Sequence, residues 1–501
     1  MGRSFVLLAA LIAVLLAALF SYGNVGDTPR VFVEESPSEV GLQVSRVRCH
    51  DPRGLVCTSA ALRSEDDDGL NIVSTRRKPL VVFLHGFPDT FRSFVPQMRF
   101  FSAAGFDVVA PQLLGYDPSR DGSRPLDFSL HSAALDVRAM LTGIFEESEK
   151  RESGSTAAPS EGPALEVHLV GHDWGSAVAQ CVAAMLAPTT IGTRNTSATR
   201  PRKILLKSVT LVSVPPLKDM TRSLVRNPGQ LLHSWYMLFF QLPWVPEMWL
   251  RSRPPRRRPA ALDASDPMQL SGAANLGGGI TYLFNAWGKK PYPSHRLVDV
   301  HAALGGTAVR RERRVAFLGQ PWSAVQWYRA NVVPMLFPGW VVSVCEWLVG
   351  SSAPFAKSWD LINNGGAFSV RATSNNATAL SRTKKEKTTM KKKQKQKKKG
   401  GGGGIGRTGC KEPSWWRSVP VLLLVGADDG CITPTFFEAA TAPYLDNRGV
   451  LVEKFLDPLV VDGAGHWIHW DAPESFNRLV LDFVSASSRS NTTQHAHQRG
   501  N

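Results

Sequence analysis

The sequence predicts an α/β fold with a mostly parallel sheet, an inserted helical lid and a disordered low-complexity insertion. From about residue 78, short β-branched runs alternate with helical stretches, as in βα units. Most of these runs are apolar throughout, which is typical of parallel strands covered on both faces. The alternation stops over about 216–350, a stretch rich in Trp, Pro and Leu, and resumes near residue 419. This stretch is therefore interpreted as an insertion between two strands.

The individual elements follow from the length and composition of each run. Runs of four to seven mostly apolar residues bounded by Gly, Pro or polar residues predict strands at 80–84, 107–110, 167–170, 209–212, 419–425 and 450–455. Longer stretches with helical spacing predict helices at about 129–147 and 175–187 and a closing helix at 473–484.

Composition and charge exclude several classes of protein. The 501 residues are 43% apolar, which excludes a largely disordered chain, and their net charge is +16. Much of this charge lies in two short stretches, 251–258 and 382–399, so no basic binding face is indicated and no nucleic-acid partner is expected. Six cysteines in a chain of this length do not make a disulfide scaffold. Cys49 and Cys57 could form one bridge in a lumenal domain, but unpaired thiols are expected.

The N-terminus predicts entry into the secretory pathway. Phe5 to Phe20 are sixteen consecutive apolar residues, preceded by Arg3. As a helix they would span about 24 Å, between the lengths of a signal-peptide core and a membrane anchor. We expect the chain to be membrane-anchored, lumenal or secreted, with the endoplasmic reticulum as the favoured compartment. Whether the segment is cleaved stays open, as does the oligomeric state.

These observations divide the chain into six parts. The segment 351–414 contains a polylysine run and five consecutive glycines, and it cannot bury apolar surface. The predicted parts are a signal peptide or anchor at 1–24, a first core part at 25–215, the lid at 216–350, the low-complexity insertion at 351–414, a second core part at 415–488 and a tail at 489–501.

The pentapeptide Gly171-His172-Asp173-Trp174-Gly175 carries the first chemical signal. It follows a predicted strand and precedes a helix, as the G-x-nucleophile-x-G elbow does. Side chains at the two glycines would collide with the sharp turn. Asp occupies the nucleophile position, and an ionised carboxylate attacks an sp³ carbon without a general base. The product of that attack is an alkyl ester of Asp173.

Hydrolysis of such an ester requires a base and a group that orients it. His466, in Gly465-His466-Trp467, is the candidate base, and Asp429 the candidate acid, with the adjacent Asp428 as the alternative. The order nucleophile, acid, histidine is that of the α/β-hydrolase fold. After the first strand, Phe87 offers a backbone N–H that could form an oxyanion hole with the N–H of Trp174. These pieces together predict an α/β-hydrolase core.

Four motifs resemble the epoxide hydrolases of this fold: HGFP at 85–88, GHDWGS at 171–176, GADDGCITP at 426–434 and GAGHW at 463–467. The resemblance extends to the lid, where SWYMLFFQLP at 234–243 and VQWYR at 325–329 look like the two lid-tyrosine segments of that family. It implies that Tyr236 and Tyr328 donate hydrogen bonds to the epoxide oxygen. His85, Pro88 and Trp327 are expected to contact the substrate.

The resemblance implies hydrolysis of an epoxide, expected to be lipophilic, to a vicinal diol, with no metal or organic cofactor. Haloalkane dehalogenases share the four motifs and remain an alternative, as does a catalytically silent lipid-binding or partner-binding protein. The chain departs from the family in its long lid, in an Arg/Pro run at 251–259, in the apolar stretch 334–349 and in about ninety residues between Tyr328 and the strand at 419. These departures concern substrate size and access.

Overall fold

A computed structural model shows one sheet with helices on both faces and a helical lid. The structure describes residues 42–50, 56–64, 77–114, 116, 128–152, 164–186, 204–217, 220–242, 245–251, 278–289, 323–336, 414–445 and 457–498. The predictions for 1–24, for most of the apolar stretch 334–349 and for the low-complexity insertion lie outside these residues. Among the residues that are described, no helix is long and apolar enough to cross a membrane.

Eight strands in the described ranges form one sheet in the order β1-β2-β4-β3-β5-β6-β7-β8. Strand β2 pairs antiparallel with both of its neighbours, β1 and β4. All other pairs of neighbouring strands in the sheet are parallel. The strands are β1 Leu42–His50, β2 Val56–Ser64, β3 Leu80–Leu84, β4 Asp107–Pro111, β5 Leu165–His172, β6 Ile204–Val212, β7 Val421–Gly426 and β8 Leu459–Val461.

The helices of the core are α1 Val95–Ala103, α2 Leu130–Glu152, α3 Trp174–Leu186, α10 Pro434–Leu445, α11 Ile468–Asp471 and α12 Pro473–Gln498. The described residues between β6 and β7 include six helices of the predicted lid: α4 Met220–Arg226, α5 Pro228–His233, α6 Trp235–Phe239, α7 Val245–Arg251, α8 Gly278–Trp287 and α9 Gln326–Leu336. The α/β fold class, the mostly parallel sheet and the helical character of the described part of the lid are thereby confirmed.

The strands of the core are apolar throughout because both faces of the sheet are covered. In β3, Leu80, Val82 and Leu84 join one apolar cluster, whereas Val81 and Phe83 join the cluster on the other face. Successive side chains of a strand point to opposite faces, so a strand buried on both sides needs apolar residues at every position. Burial of each such side chain stabilises the fold by about 1.5–3 kcal/mol.

Two features differ from the sequence-based expectations, and one expected strand stays a prediction. The strands β1 and β2 form an antiparallel hairpin at the edge of the sheet that was not predicted, and their register places Cys49 opposite Cys57. The strand expected at 450–455 lies outside the described residues, and the short strand β8 follows it. The closing helix α12 continues to Gln498, well past the expected end at 484.

Candidate active site

The nucleophile candidate, Asp173, lies at the tight turn between β5 and α3. Its φ of 52° is in the left-handed region, which few non-glycine residues adopt. The two flanking glycines allow this turn, because a Cβ on Gly175 would collide with the carbonyl oxygen of Leu84 and one on Gly171 with the backbone of Gly175. The turn thereby holds the side chain of Asp173 at the edge of the sheet where the parallel strands end.

Both oxygens of Asp173 face predicted partners. Oδ2 accepts the backbone N–H of Phe87 at 2.7 Å, and Oδ1 lies 3.7 Å from Nε2 of His466. A Cβ at Gly86 would come within 2.5 Å of Oδ2, so this close approach requires glycine. Burial by itself raises the pKa of Asp173, but the hydrogen bonds and charge of His466 and the Phe87 amide outweigh it and lower the pKa. Asp173 is therefore ionised at neutral pH.

The imidazole of His466 is held by Asp429. Nδ1 of His466 donates to Asp429, at 2.9 Å from Oδ2 and 3.1 Å from Oδ1. Asp429 Oδ1 also accepts the backbone N–H groups of Cys431 at 2.8 Å and Ile432 at 2.9 Å. The acid is thus fixed in place by its own loop, and it orients the ring so that Nε2 faces Asp173.

The adjacent aspartate is arranged differently. Asp428 is 44% exposed at its side chain and forms an ion pair with Lys289 at 3.0 Å. Asp429, by contrast, contacts both the ring of His466 and its own loop. Of the two candidates in the sequence, Asp429 is the one that faces the histidine.

His466 is positively charged in the free protein. Burial by itself lowers the pKa of its imidazole, but the carboxylates of Asp429 and Asp173 outweigh this effect and raise it to about 10. The site therefore holds one imidazolium between two carboxylates. A change that neutralised Asp173 would remove one of the two charges that raise this pKa, so the ring would lose its proton more readily.

The backbone of His466 is fixed by residues that sequence reasoning did not select. His172 Nε2 donates to the His466 carbonyl oxygen at 2.9 Å, and Ser213 Oγ donates to the same atom at 2.9 Å. The His466 N–H donates to the carbonyl of Trp287, in the lid helix α8, at 2.8 Å. Burial lowers the pKa of His172 to about 3, so its ring is neutral. The only signal in the sequence was the place of His172 beside Asp173.

The two lid tyrosines pack against each other and line the same cavity as Asp173. Tyr236 in α6 and Tyr328 in α9 are each 2% exposed, and their ring centroids are 5.7 Å apart. The ring of Tyr328 also packs edge-on against Trp174 at 5.2 Å and Phe87 at 5.1 Å. Burial, supplemented by nearby negative charge, raises the pKa of both phenols well above the usual value. Both phenols keep their protons and can act as hydrogen-bond donors.

A buried ion pair joins the lid segments that carry these tyrosines. Arg329 contacts Glu247 at 2.6 Å and donates to the carbonyl oxygen of Leu242 at 2.6 Å. Gln241 Nε2 donates to the carbonyl oxygen of Tyr328 at 3.1 Å. These contacts connect α9 to α7 and to the end of α6, so they hold the two phenols at a fixed separation.

The remaining predicted residues, His85, Pro88 and Trp327, are all buried. Both ring nitrogens of the buried His85 are engaged, Nδ1 with the Gly86 carbonyl at 3.1 Å and Nε2 with the Leu113 N–H at 3.0 Å. Pro88 is buried after a cis peptide bond, and Trp327 Nε1 donates to the Leu114 carbonyl at 2.8 Å. None of the three is among the described residues that line the cavity beside Asp173. The substrate contact expected of these three residues stays a prediction.

The cavity beside the carboxylate is small and largely apolar. Its volume accessible to the centre of a water molecule is about 30 Å³, room for about two waters. The lining is formed by Asp173, Trp174, Ala177, Val214, Leu217, Met220, Tyr236, Met237, Tyr328 and Ile432.

Two further residues near the site, Tyr116 and Cys431, were not selected from the sequence. The hydroxyl of Tyr116 is buried without a hydrogen-bond partner among the described residues, and its ring packs edge-on against His85 at 4.9 Å.

The potential ligand atoms of Asp429, Cys431 and His466 lie within 4.8 Å of one another. Within the site, Asp429 accepts from the His466 ring and Cys431 contacts Tyr236.

Known proteins that are similar to this chain include epoxide hydrolases of the alpha/beta hydrolase family. A model described as the alpha/beta hydrolase family matches residues 81–479. Epoxide hydrolase 4 of Homo sapiens is 28% identical over 172 residues, which are 34% of this chain and 38% of that relative. Epoxide hydrolase 3 of Mus musculus is 28% identical over 173 residues, 34% of this chain and 37% of that relative. The matches thus span well under half of these relatives, and they confirm the resemblance seen in the motifs.

Among solved structures, potato epoxide hydrolase I is similar with a TM-score of 0.44 and 17% identity, over 89% of this chain and 99% of that one.

Proposed function

Because the chain belongs to the alpha/beta hydrolase family, we propose that it is an epoxide hydrolase that forms an alkyl ester on Asp173. The observation that carries the proposal is the pair of buried phenols, Tyr236 and Tyr328, above an aspartate nucleophile. Two neutral O–H donors suit an oxygen that develops negative charge as a strained ring opens. The names of the curated relatives support the same activity.

In the first step, the epoxide ring opens. An oxygen of the ionised Asp173 attacks the less hindered ring carbon, and the C–O bond of that carbon breaks. The released oxygen takes a proton from one of the two phenols, and that phenol regains its proton through solvent from the imidazolium of His466. The products are a hydroxyalkyl ester of Asp173 and a neutral imidazole.

In the second step, water cleaves the ester. Neutral His466, oriented by Asp429, takes a proton from water, and the hydroxide oxygen bonds to the carbonyl carbon of Asp173. The N–H of Phe87, which already contacts Oδ2 at 2.7 Å, stabilises the oxyanion, with the N–H of Trp174 as the second proposed donor. Collapse of the intermediate breaks the ester C–O bond, the vicinal diol leaves, and the carboxylate and imidazolium are restored.

The lining of the cavity favours a lipophilic substrate. Val214, Leu217, Met220, Met237 and Ile432 surround the reacting groups, and none of them offers a polar side chain. An apolar epoxide gains burial of roughly 25 cal/mol for each Å² that it removes from water. We expect kcat/KM to rise with the length of an alkyl or aryl substituent, and preferential turnover of small polar epoxides would refute this substrate class.

The proposed activity is tested by the intact mass of His466→Gln after brief incubation with a lipophilic epoxide. Without its base the enzyme should accumulate the ester, because attack by Asp173 needs no histidine. The expected result is an added mass equal to the whole epoxide in His466→Gln and no added mass in the control Asp173→Asn. The absence of an adduct with each of several epoxides would reject the proposal, and release of halide from haloalkanes would then favour the dehalogenase alternative.

We also propose that residues 5–20 direct the chain to the membrane of the endoplasmic reticulum. The support is their uninterrupted apolar sequence after Arg3. Alkaline carbonate extraction of cells expressing the full chain separates the outcomes: retention with the membrane fraction indicates an anchor, and release indicates cleavage. A chain found in the cytosol would contradict the proposal.

A further inference from the structure

A buried thiol contacts one of the two lid phenols. The hydroxyl of Tyr236 lies 3.0 Å from Sγ of Cys431, although the two residues are 195 positions apart in the sequence. Tyr236 is 2% exposed and Cys431 is 1% exposed, so no bulk water competes for this contact. The mechanism proposed above assigns a role to the phenol and none to the thiol.

The backbone around Cys431 is fixed from both sides. Its N–H donates to Asp429 Oδ1 at 2.8 Å, and its carbonyl oxygen accepts from Gln230 Nε2, in the lid helix α5, at 2.8 Å. Gln230 Oε1 in turn accepts the N–H of Thr433 at 3.0 Å. The thiol therefore has a defined position relative to both the acid loop and the lid. Burial and the nearby carboxylate of Asp429 raise the pKa of Cys431 well above the usual value, so its proton is retained.

The chemistry of a phenol gives this contact a direction. A phenol has one proton to donate and accepts through its oxygen, so it donates to either the thiol or the substrate. A thiol is a weak acceptor, whereas an epoxide oxygen is an ordinary one, and the S–H group can donate to the phenol oxygen. An S–H donor at this place leaves the phenol proton free to point into the cavity.

We propose that Cys431 is a positioning residue whose S–H group donates to the oxygen of Tyr236 and directs the phenol proton at the epoxide oxygen. The inference rests on the proposed epoxide hydrolysis and adds a residue to its ring-opening step. As the ring C–O bond breaks, the Tyr236 proton moves towards the epoxide oxygen and negative charge develops on the phenol oxygen. The S–H bond stays intact and stabilises that charge.

Because Cys431 acts through Tyr236, its removal should slow only the step in which Tyr236 takes part. A neutral hydrogen bond contributes about 0.5–1.5 kcal/mol, so Cys431→Ala should slow ester formation by about two- to tenfold. Hydrolysis of the ester, which depends on His466 and Asp429, should keep its rate. Cys431→Ser retains a donor and should recover part of the loss.

The experiment is a double-mutant cycle measured on both steps. Ester formation is followed by rapid quenching and intact mass in wild type, Cys431→Ala, Tyr236→Phe and the double variant, and hydrolysis is followed as decay of the ester. Cys431→Ala should have no further effect on ester formation in the Tyr236→Phe background. Cys181→Ala, which removes another buried free thiol in α3, is the control and should leave both rates unchanged.

The possible outcomes separate the inference from the proposed function. An equal loss in both backgrounds means that Cys431 does not act through Tyr236, and a loss confined to ester hydrolysis means that the substitution only disturbs the Asp429 loop. Unchanged ester formation in Cys431→Ala also overturns the inference while leaving the proposed function intact. If wild type consumes no epoxide and forms no ester, both are rejected together.

Discussion

Replacing Asp429 by Asn should stop ester hydrolysis by moving a proton on His466. Asp429 Oδ1 accepts the N–H groups of Cys431 and Ile432 at 2.8 and 2.9 Å, so the oxygen of an asparagine must occupy that place. Its NH₂ group then replaces Oδ2, which lies 2.9 Å from Nδ1 of His466. Because the NH₂ group donates, Nδ1 must accept, and the proton of the neutral imidazole is carried on Nε2.

An imidazole that is protonated on Nε2 cannot take a proton from water at that atom. General-base catalysis contributes about 10²–10⁴-fold, so hydrolysis of the ester should fall by that factor in Asp429→Asn. Attack by Asp173 does not need the base, so ester formation should fall far less. The neighbouring Asp428→Asn removes only a partly exposed ion pair, worth about 0–1 kcal/mol, and should leave turnover within about twofold.

The assay is rapid mixing with an epoxide, followed by intact mass and by measurement of diol. The ester should accumulate in Asp429→Asn and remain undetectable at steady state in Asp428→Asn. Equal losses in the two variants would refute the assignment of the acid. Normal diol formation by Asp429→Asn would refute the tautomer argument itself.

Three further outcomes are expected. Tyr236→Phe and Tyr328→Phe should each slow ester formation by about tenfold and together by about 10²–10⁴-fold, and an unaltered rate in single-turnover mixing would remove the phenols from the mechanism. The folded-state pKa of His466 is raised from 6.5 to about 10, so stabilisation by its charge is complete below pH 6.5 and is lost as the pH rises through about 10. Urea unfolding from neutral pH to above pH 10 should therefore show a steeper loss of stability in wild type than in His466→Gln, and parallel curves would contradict this. Arg329→Met leaves the buried Glu247 carboxylate unpaired and should lower the free energy of unfolding by about 3–5 kcal/mol, whereas a urea midpoint equal to that of wild type would show the pair to be dispensable.

The core strands could be predicted because their pattern is local. Each residue of β3 is buried on one face or the other, so an uninterrupted apolar run is the signature of the strand itself. The edge hairpin β1–β2 lacks this signature, since residues such as Gln43, Ser45 and Arg48 interrupt it. The hairpin belongs to the sheet because β2 pairs with β4, and the sequence of the hairpin itself gives no sign of that pairing.

The convergence of the candidate catalytic residues could be predicted because strand ends converge. Asp173, Asp429 and His466 each follow a strand, and the carboxyl ends of parallel strands lie at one edge of a sheet. The contacts that position these groups could not be predicted, because they join side chains far apart in the chain. The Tyr236–Cys431 contact is one example, and the ion pair between Arg329 and Glu247 is another.

The central claim, an ester on Asp173, is tested most directly by a single turnover in water enriched in ¹⁸O. Hydrolysis at the carbonyl carbon places the water oxygen on the Asp173 carboxylate, and the diol keeps an oxygen that came from the enzyme. With enzyme in excess over epoxide, the peptide that contains Asp173 should gain ¹⁸O and the first diol should be unlabelled. A labelled diol and an unlabelled peptide would show that water attacks the epoxide directly, and would contradict the account.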